Sequence, residues 1–318
     1  MNDTPDLSVV IPVYGCAGCL RSLHARLVMA LGSISPAFEI ILVDDRSPDG
    51  AWDVMKEIGE QDPRVRIVRL SRNFGQHAAI TAGLTRSRGR WTAVMDCDLE
   101  EPPEEIPRLY LKAQEGFDIV RAARLDRKVS PARRALSRAY RYVFLESDRT
   151  TEYGTLSIIS RKVVDAFLSL RERDREYQLM LDWLGFTQAT VPFVHGERGE
   201  GQSAYTLRRL LKVAFDGMFF RTTVLLRLIV LLGFLVATAG AGLAAYAVYA
   251  RYAEDSPPGY TSIVVLVLVL SGFIIISLGV VGLYVGRIFD QVKERPLFVV
   301  DEDRAAAREP APVPERLA

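Results

Sequence analysis

The sequence predicts an α/β protein: a mostly parallel sheet with helices on both faces, followed by an interfacial helix and a hairpin of two membrane-crossing helices. Three observations lead there. Short apolar runs alternate with helical patterns through residues 1 to about 125, the alternation expected of a parallel sheet. Two long uncharged apolar runs lie in the last third of the chain. Polar and acidic residues (Tyr14, Asp44, Asp45, Arg72, Asn73, Asp96, Asp98) gather where the expected strands end, which is the edge at which such sheets bind ligands.

The elements follow in order. LSVVIP (Leu7–Pro12) is a buried strand, with a helix through Leu20–Leu31. FEIILVDD (Phe38–Asp45) is a second strand ending in two acids, and a helix begins near Asp49. VRIVRLS (Val65–Ser71) is the third, followed by a helix over His77–Arg86. WTAVMD (Trp91–Asp96) is the fourth, then Pro102, Pro103 and a helix from Glu104. DIVRAA (Asp118–Ala123) is the fifth.

The chain has 318 residues, room for one large domain or two ordinary ones. With 49% apolar and 25% charged residues it is neither a disordered chain nor a collagen-like or disulfide-scaffold protein. Lys+Arg 40 against Asp+Glu 39 leaves a charge of +1, which argues against a nucleic-acid binder.

The apolar runs, about Leu228–Tyr249 and about Tyr260–Gly286, each exceed the ~20 residues that cross a bilayer core as a helix. Two buried helices of a globular core are the alternative, but such helices rarely stay uncharged for so long. Arg208, Arg209, Lys212, Arg221 and Arg227 precede the first run, and Arg287, Lys293 and Arg295 follow the second. The intervening RYAEDSPPG (Arg251–Gly259) has one Arg beside two acids. The positive-inside bias puts both flanks, and the N-terminal region, in the cytoplasm. MNDTPDLSVVIPVYG has neither the basic start nor the long apolar stretch of a signal peptide. The expected organisation is a cytoplasmic domain over 1–204, an amphipathic juxtamembrane helix over 205–223, spans over 224–250 and 260–286, and a tail over 287–318. The tail is Ala/Pro/charge-rich from Asp301 and is expected to be largely disordered. In that compartment the three cysteines should be reduced thiols. Cys16 and Cys19 form a C-x-x-C, open to reading as a redox pair, half a zinc site or ordinary loop residues.

No G-x-G-x-x-G follows the first strand and no P-loop occurs, so glycine-loop phosphate binding is excluded. DCDLEEPPE (Asp96–Glu104) offers another device. Carboxylates at i and i+2 beyond a strand can turn toward one hard cation, Mg²⁺ or Mn²⁺, completed by substrate phosphates. Taken alone the motif also suits a solvated acidic loop. The acids ending the second strand add weight to the first reading.

VVIPVYG, ILVDDRSPDG, LSRNFGQHAAITAGLTRSRG and MDCDLEEPPE resemble the GT-A nucleotide-diphospho-sugar transferases of family two. More narrowly the chain resembles the polyprenyl-phosphate glycosyltransferases, the group of dolichol-phosphate mannose synthase and bactoprenol glucosyltransferase. ISRKVVDAF, RDREYQLMLDWLGFTQATVPF and ERGEGQSAYTLRRLLKVAFDG extend the likeness over about residues 7 to 290. It implies a GT-A fold and roles by position. Pro12, Tyr14 and Asp45 match positions lining the base and ribose; Asp96 and Asp98, with Glu100, match those holding metal and sugar-diphosphate. Arg124, Arg133, Arg134 and Ser137 match the region that receives the lipid phosphate, and Arg198 and Ser203 a loop near the diphosphate. On this likeness Asp96, Asp98, Arg124 and Arg198 form the catalytic set. Guanidinium forks suit phosphate bidentately, although the 133–138 cluster could instead face anionic lipid head groups.

One departure stands out. Relatives commonly have Asp where this chain has Thr155, after Gly154. Either donor or acceptor differs, or no base is needed, because a phosphomonoester (second pKa ~6) is already largely anionic at neutral pH. Relatives also tend to have Lys at the position of Ala204. The resemblance implies an inverting transfer from a nucleotide-sugar, UDP-glucose as first expectation, to undecaprenyl phosphate in the bacterial inner membrane. A flippase would then act on the product, and a homo-oligomer is expected. A polysaccharide- or glycolipid-extending transferase, or a silent nucleotide-sugar-binding scaffold, are the alternatives.

Overall fold

The computed structural model describes residues 4–124, 153–172, 175–193 and 260–305, with positions 232, 233, 235, 238 and 242. The chain divides into two compact units. One comprises Met1–Lys128, Thr150–Gly201 and Arg295–Ala318; the other, Val129–Arg149 and Gln202–Glu294.

The described part of the first unit is built on an eight-stranded sheet. Its elements are β1 (Leu7–Val13), α1 (Leu20–Gly32), β2 (Phe38–Asp44), α2 (Ala51–Gln61), β3 (Val65–Leu70), α3 (Gln76–Leu84), β4 (Trp91–Val94), α4 (Ile106–Gln114), β5 (Ile119–Arg124), β6 (Tyr153–Ser160), α5 (Arg161–Ser169), α6 (Tyr177–Leu184), β7 (Gln188–Phe193) and β8 (Val300–Ala305). The strand order is β7-β5-β6-β4-β1-β2-β3-β8. The β1–β2, β1–β4, β2–β3 and β5–β7 pairs are parallel. Only β6 and β8 run against their neighbours. The mostly parallel α/β sheet expected from the alternation is therefore present.

Strand periodicity sends successive side chains to opposite faces. Leu7, Val9, Ile11 and Val13 join α1, α2 and α4 in one core, through Leu23, Leu27, Met55, Ile58 and Leu109. Val10, Ile41 and Val43 join α3, α5 and α6 in the other, through Ile80, Val164, Phe167 and Met180. A strand covered on both faces must be apolar throughout, and this is why LSVVIPV and FEIILV are legible as strands.

Three expectations are corrected. The fourth strand ends at Val94, two residues early, so Asp96–Asp98 leave the sheet as a loop. The tail is not disordered over Val300–Ala305, which forms edge strand β8 antiparallel to β3. Phe298 is buried in the second core, and Asp303 accepts hydrogen bonds from Arg66 (2.8 and 3.0 Å) and Arg86 (2.8 Å). Charged composition misled here because the partners of these acids are arginines of distant elements. Third, the cysteines are not all thiols: Cys16 and Cys97 form a disulfide, and Cys19 is free. β1 and β4 are hydrogen-bonded neighbours, so the loops leaving their carboxyl ends emerge together and bring the two Cα atoms to 6.3 Å.

In the second unit, the second expected span is a continuous helix, α7 (Tyr260–Val292), of 33 residues. Among the described residues no helix is long and apolar enough to cross a membrane; several α7 side chains lie outside that set. The amphipathic helix over 205–223 lies outside the described residues, as does nearly all of the first span.

Candidate active site

At the carboxyl edge of the sheet, β1, β2 and β4 release three adjacent loops. The loop after β4 carries Asp96, Cys97, Asp98 and Glu100. Asp96 is held from two directions: the Thr155 hydroxyl, on β6, donates to Oδ2 at 2.8 Å, and Gln76 Nε2, at the start of α3, donates to Oδ1 at 2.6 Å. Burial pushes the Asp96 carboxyl up to about 6; the charges of Asp98 and Glu100 push the same way, against the hydrogen bonds from Thr155 and Gln76. Asp98 is exposed and accepts the Glu100 N–H at 3.0 Å. Leu99 follows with φ of 62°, a left-handed conformation costly for a branched side chain.

Beneath this loop lies Glu101, buried, whose carboxylate accepts the Leu156 N–H at 2.8 Å. Gly154 lies close against Glu101: a Cβ there would sit 1.7 Å from Oε1, so the end of that side chain would have to move. The Gly154 carbonyl accepts Gln178 Nε2 at 2.8 Å. β6 and α6 thus support the acidic loop from below.

The loop after β2 is equally organised. Asp44 is fully buried, accepts the Ser47 N–H at 2.8 Å and faces Arg69 at 3.2 Å. Asp45 accepts the Phe74 and Gly75 N–H groups at 2.7 and 2.8 Å, fastening the loop that starts α3. Burial raises both carboxyl groups above their ordinary range. After β1, Tyr14 is 55% exposed, while Gly15 N–H donates to Ser47 Oγ (2.7 Å) and Ala17 N–H to Asp49 (2.8 Å).

Of the site residues expected from sequence, Tyr14, Asp45, Asp96, Asp98 and Glu100 come to this one edge. Pro12 lies buried within β1 opposite Val43. Asp45 is 3% exposed, with both oxygens engaged by backbone, so it fixes the Phe74–Gly75 turn. Arg124 ends β5 opposite Phe193; its side chain, and Arg133, Arg134, Ser137, Arg198 and Ser203, lie outside the described residues. Gln76 and Glu101 were missed. The signal for Gln76 is a polar side chain opening a helix at the ligand edge, behind N-F-G; for Glu101 it is the second Glu of LEEPPE opposite a glycine. Arg121 and Asp182 were also missed, a buried arginine of β5 paired with α6 at 2.8 Å.

Would a divalent cation suit these groups? The donors are hard oxygens, and the like charges of Asp98 and Glu100 act on Asp96. A cation would relieve that repulsion. Among the described residues no group of three or more His, Cys, Asp or Glu could hold a metal by itself, so substrate phosphate oxygens would have to complete the coordination, as is common for Mg²⁺. The residues fit.

A mostly parallel sheet with helices on both faces, and paired acids just past β4, is the arrangement that the likeness to GT-A transferases led one to expect. The chain belongs to glycosyl transferase family 2, whose profile matches residues 8–168. It is 33% identical over 300 residues to an uncharacterised glycosyltransferase, YkcC, of Bacillus subtilis, covering 93% of each chain. It is 37% identical over 321 residues to the undecaprenyl-phosphate 4-deoxy-4-formamido-L-arabinose transferase of Pseudomonas paraeruginosa, covering 98% of this chain and 93% of that one. Among solved structures it is similar to a mannosyltransferase from Pyrobaculum calidifontis in complex with GDP-Man and Mn²⁺, at 16% identity and a TM-score of 0.47, over 90% of this chain and 88% of that one.

Proposed function

We propose that this glycosyltransferase moves a sugar, with inversion, from a nucleoside diphosphate to a polyprenyl phosphate at the cytoplasmic face of a bacterial inner membrane. The observation that carries it is the acidic loop of Asp96 and Asp98, clamped by Thr155 and Gln76 at the ligand edge of the sheet. Asp96, Asp98 and Glu100 would hold Mg²⁺ or Mn²⁺, which would stabilise the departing diphosphate. Asp45 shapes the base side of the pocket by fixing the Phe74–Gly75 backbone, and Tyr14 offers an exposed ring there. Thr155 supports the reading that no protein base is required. Its hydroxyl is committed to Asp96, and a phosphate acceptor needs positioning more than deprotonation. Arg124, Arg133, Arg134 and Ser137 are assigned to the lipid phosphate, and Arg198 and Ser203 to the diphosphate.

Membrane attachment is part of the proposal. At ~1.5 Å per residue, the 33 residues of α7 extend about 50 Å, beyond the ~30 Å hydrocarbon core. Ile263, Ile274, Leu278, Val285 and Phe289 stand exposed along it, an apolar surface that calls for lipid or protein. β8 returns to the catalytic sheet, so crossings between β7 and β8 must be even in number; two spans, 224–250 and 260–286, satisfy that. The 205–223 helix would lie at the interface.

The relatives' acceptor, undecaprenyl phosphate, is assigned to this chain. UDP-glucose is the donor expected from the sequence, and the formamido-arabinose of the relatives is its competitor. Purified protein supplied with each labelled nucleotide-sugar and undecaprenyl phosphate tests the reading. Mild-acid-labile lipid label is expected, abolished in Asp98→Asn. Label in an acid-stable glycan, or equal label in the mutant, overturns it.

A further inference from the structure

We propose that Cys16, Cys97 and Cys19 form a reversible thiol–disulfide site that sets the affinity of the donor pocket. Cys97 is the middle residue of Asp96–Cys97–Asp98, and its sulfur is bonded to Cys16, 81 residues earlier. Any change at this bond acts on the peptide that joins the two carboxylates. The Cys16 turn is itself fastened to the β2 loop through Gly15 and Ala17. The oxidised bond therefore ties together the three loops that form the pocket rim.

The third cysteine supplies the chemistry. Cys19 is a free thiol of intermediate exposure, and its N–H donates to the Cys16 carbonyl at 3.0 Å, so both belong to one turn. Cys16 and Cys97 are each 7% exposed. Exchange thus begins at the accessible thiol. The Cys19 thiolate attacks Cys16 Sγ, the Cys16–Cys97 bond breaks, a Cys16–Cys19 bond forms, and Cys97 leaves as a thiolate that takes a proton from water. Electrons balance within the chain. A dithiol reductant then reduces the Cys16–Cys19 bond and is itself oxidised to a disulfide. The reverse uses a disulfide of the glutathione class, reduced to two thiols as Cys16 and Cys97 are oxidised. A disulfide facing the cytoplasm is expected to be of this transient, sensing kind.

The direction follows from the geometry. The loop leaves β4 after Val94, and the bond to Cys16 is its covalent anchor in the form where Asp96 receives Thr155 and Gln76. Release widens the range of positions the two carboxylates sample, and ordering them again on binding weakens affinity.

The inference rests on the proposed function only in that these carboxylates handle the donor. Full-length protein is equilibrated with oxidised glutathione or with dithiothreitol, alkylated and mapped by mass spectrometry, and its affinity for Mn²⁺ with UDP is measured. The oxidised sample should contain a Cys16–Cys97 cross-linked peptide and bind about tenfold more tightly than the reduced one. Cys97→Ser should bind weakly in both conditions, and Cys19→Ser should keep the cross-link and the tight binding but be reduced more slowly. Absence of the cross-link, or equal affinity in both states, overturns the inference and leaves the transferase reading standing. An oxidised protein that binds no Mn²⁺ with UDP overturns both.

Discussion

The two edges of the sheet treat their buried acids differently. At the amino edge, Glu39 accepts Ser8 Oγ at 2.6 Å, the Arg88 N–H at 2.7 Å, and the Arg88 guanidinium at 2.9 and 3.1 Å. Asp62 is met by Arg64 and by His24; burial opposes them, yet they hold its carboxyl down to about 2. At the carboxyl edge, Asp44, Asp45 and Asp96 are all raised by burial, and the donors of Asp45 and Asp96 are amides and a hydroxyl rather than cations. A charge that serves the fold comes with its counter-charge from the same chain. Asp45 and Asp96 are oriented by neutral donors, and on the proposed function the neutralisation of Asp96 would be left to the ligand.

Substitutions should therefore separate the edges. The largest effect is expected for Asp98→Asn, whose turnover should fall by ~10²-fold or more, with the unfolding temperature unchanged because the side chain is exposed. A parallel drop in thermal stability would erase the distinction. Glu39→Gln should do the reverse. It removes the ionic partner of Arg88, whose side chain is 35% exposed, and weakens the hydrogen bonds to a buried carboxylate, so it should lower stability by ~1 kcal/mol in denaturant titration, with kcat of the folded fraction intact.

Gly154→Ala probes the support beneath the acidic loop at the carboxyl edge. Its Cβ would press on Glu101 at 1.7 Å, so a loss of ~2 kcal/mol from overpacking should accompany reduced turnover. Thr155→Val keeps the shape and removes one donor from Asp96. Mn²⁺ affinity, read by paramagnetic resonance, should weaken about tenfold, and Thr155→Ser should restore it.

The smallest effect is on pH dependence, and its sign differs between the edges. Asp62 is lowered, so its stabilisation is present above the ordinary carboxylate pKa of ~4 and is lost as pH falls toward about 2. Asp96 is raised, so its contribution is full below ~4 and is lost as pH rises through about 6. In metal-free protein, Asp62→Asn should flatten the acid limb of a stability–pH curve, and Asp96→Asn the limb between ~4 and about 6.

Much of this was legible beforehand. Buried parallel strands must be apolar on both faces, so β1 to β5 stand out from their own residues, and Asp96 and Asp98 declare themselves by falling just past one of them. β6 did not stand out: YGTLSIIS carries polar residues, and its role depends on insertion, antiparallel, between β5 and β4. That insertion is what brings Thr155 to Asp96, 59 residues away. The same limit hid β8, whose Asp303 is matched by Arg66, 237 residues away.

By itself, then, the sequence determined which segments are strands, helices and long apolar runs, and which acids sit at the ligand edge, because those follow from local periodicity and side-chain chemistry. Only the tertiary structure decided which distant residues meet: Cys16 with Cys97 because β1 lies beside β4, Thr155 on Asp96 because β6 flanks β4, Gln76 on Asp96 because α3 starts at the same edge, and the tail on β3 because that edge was open. Strand order is set by the packing of the whole sheet, and no local pattern encodes it.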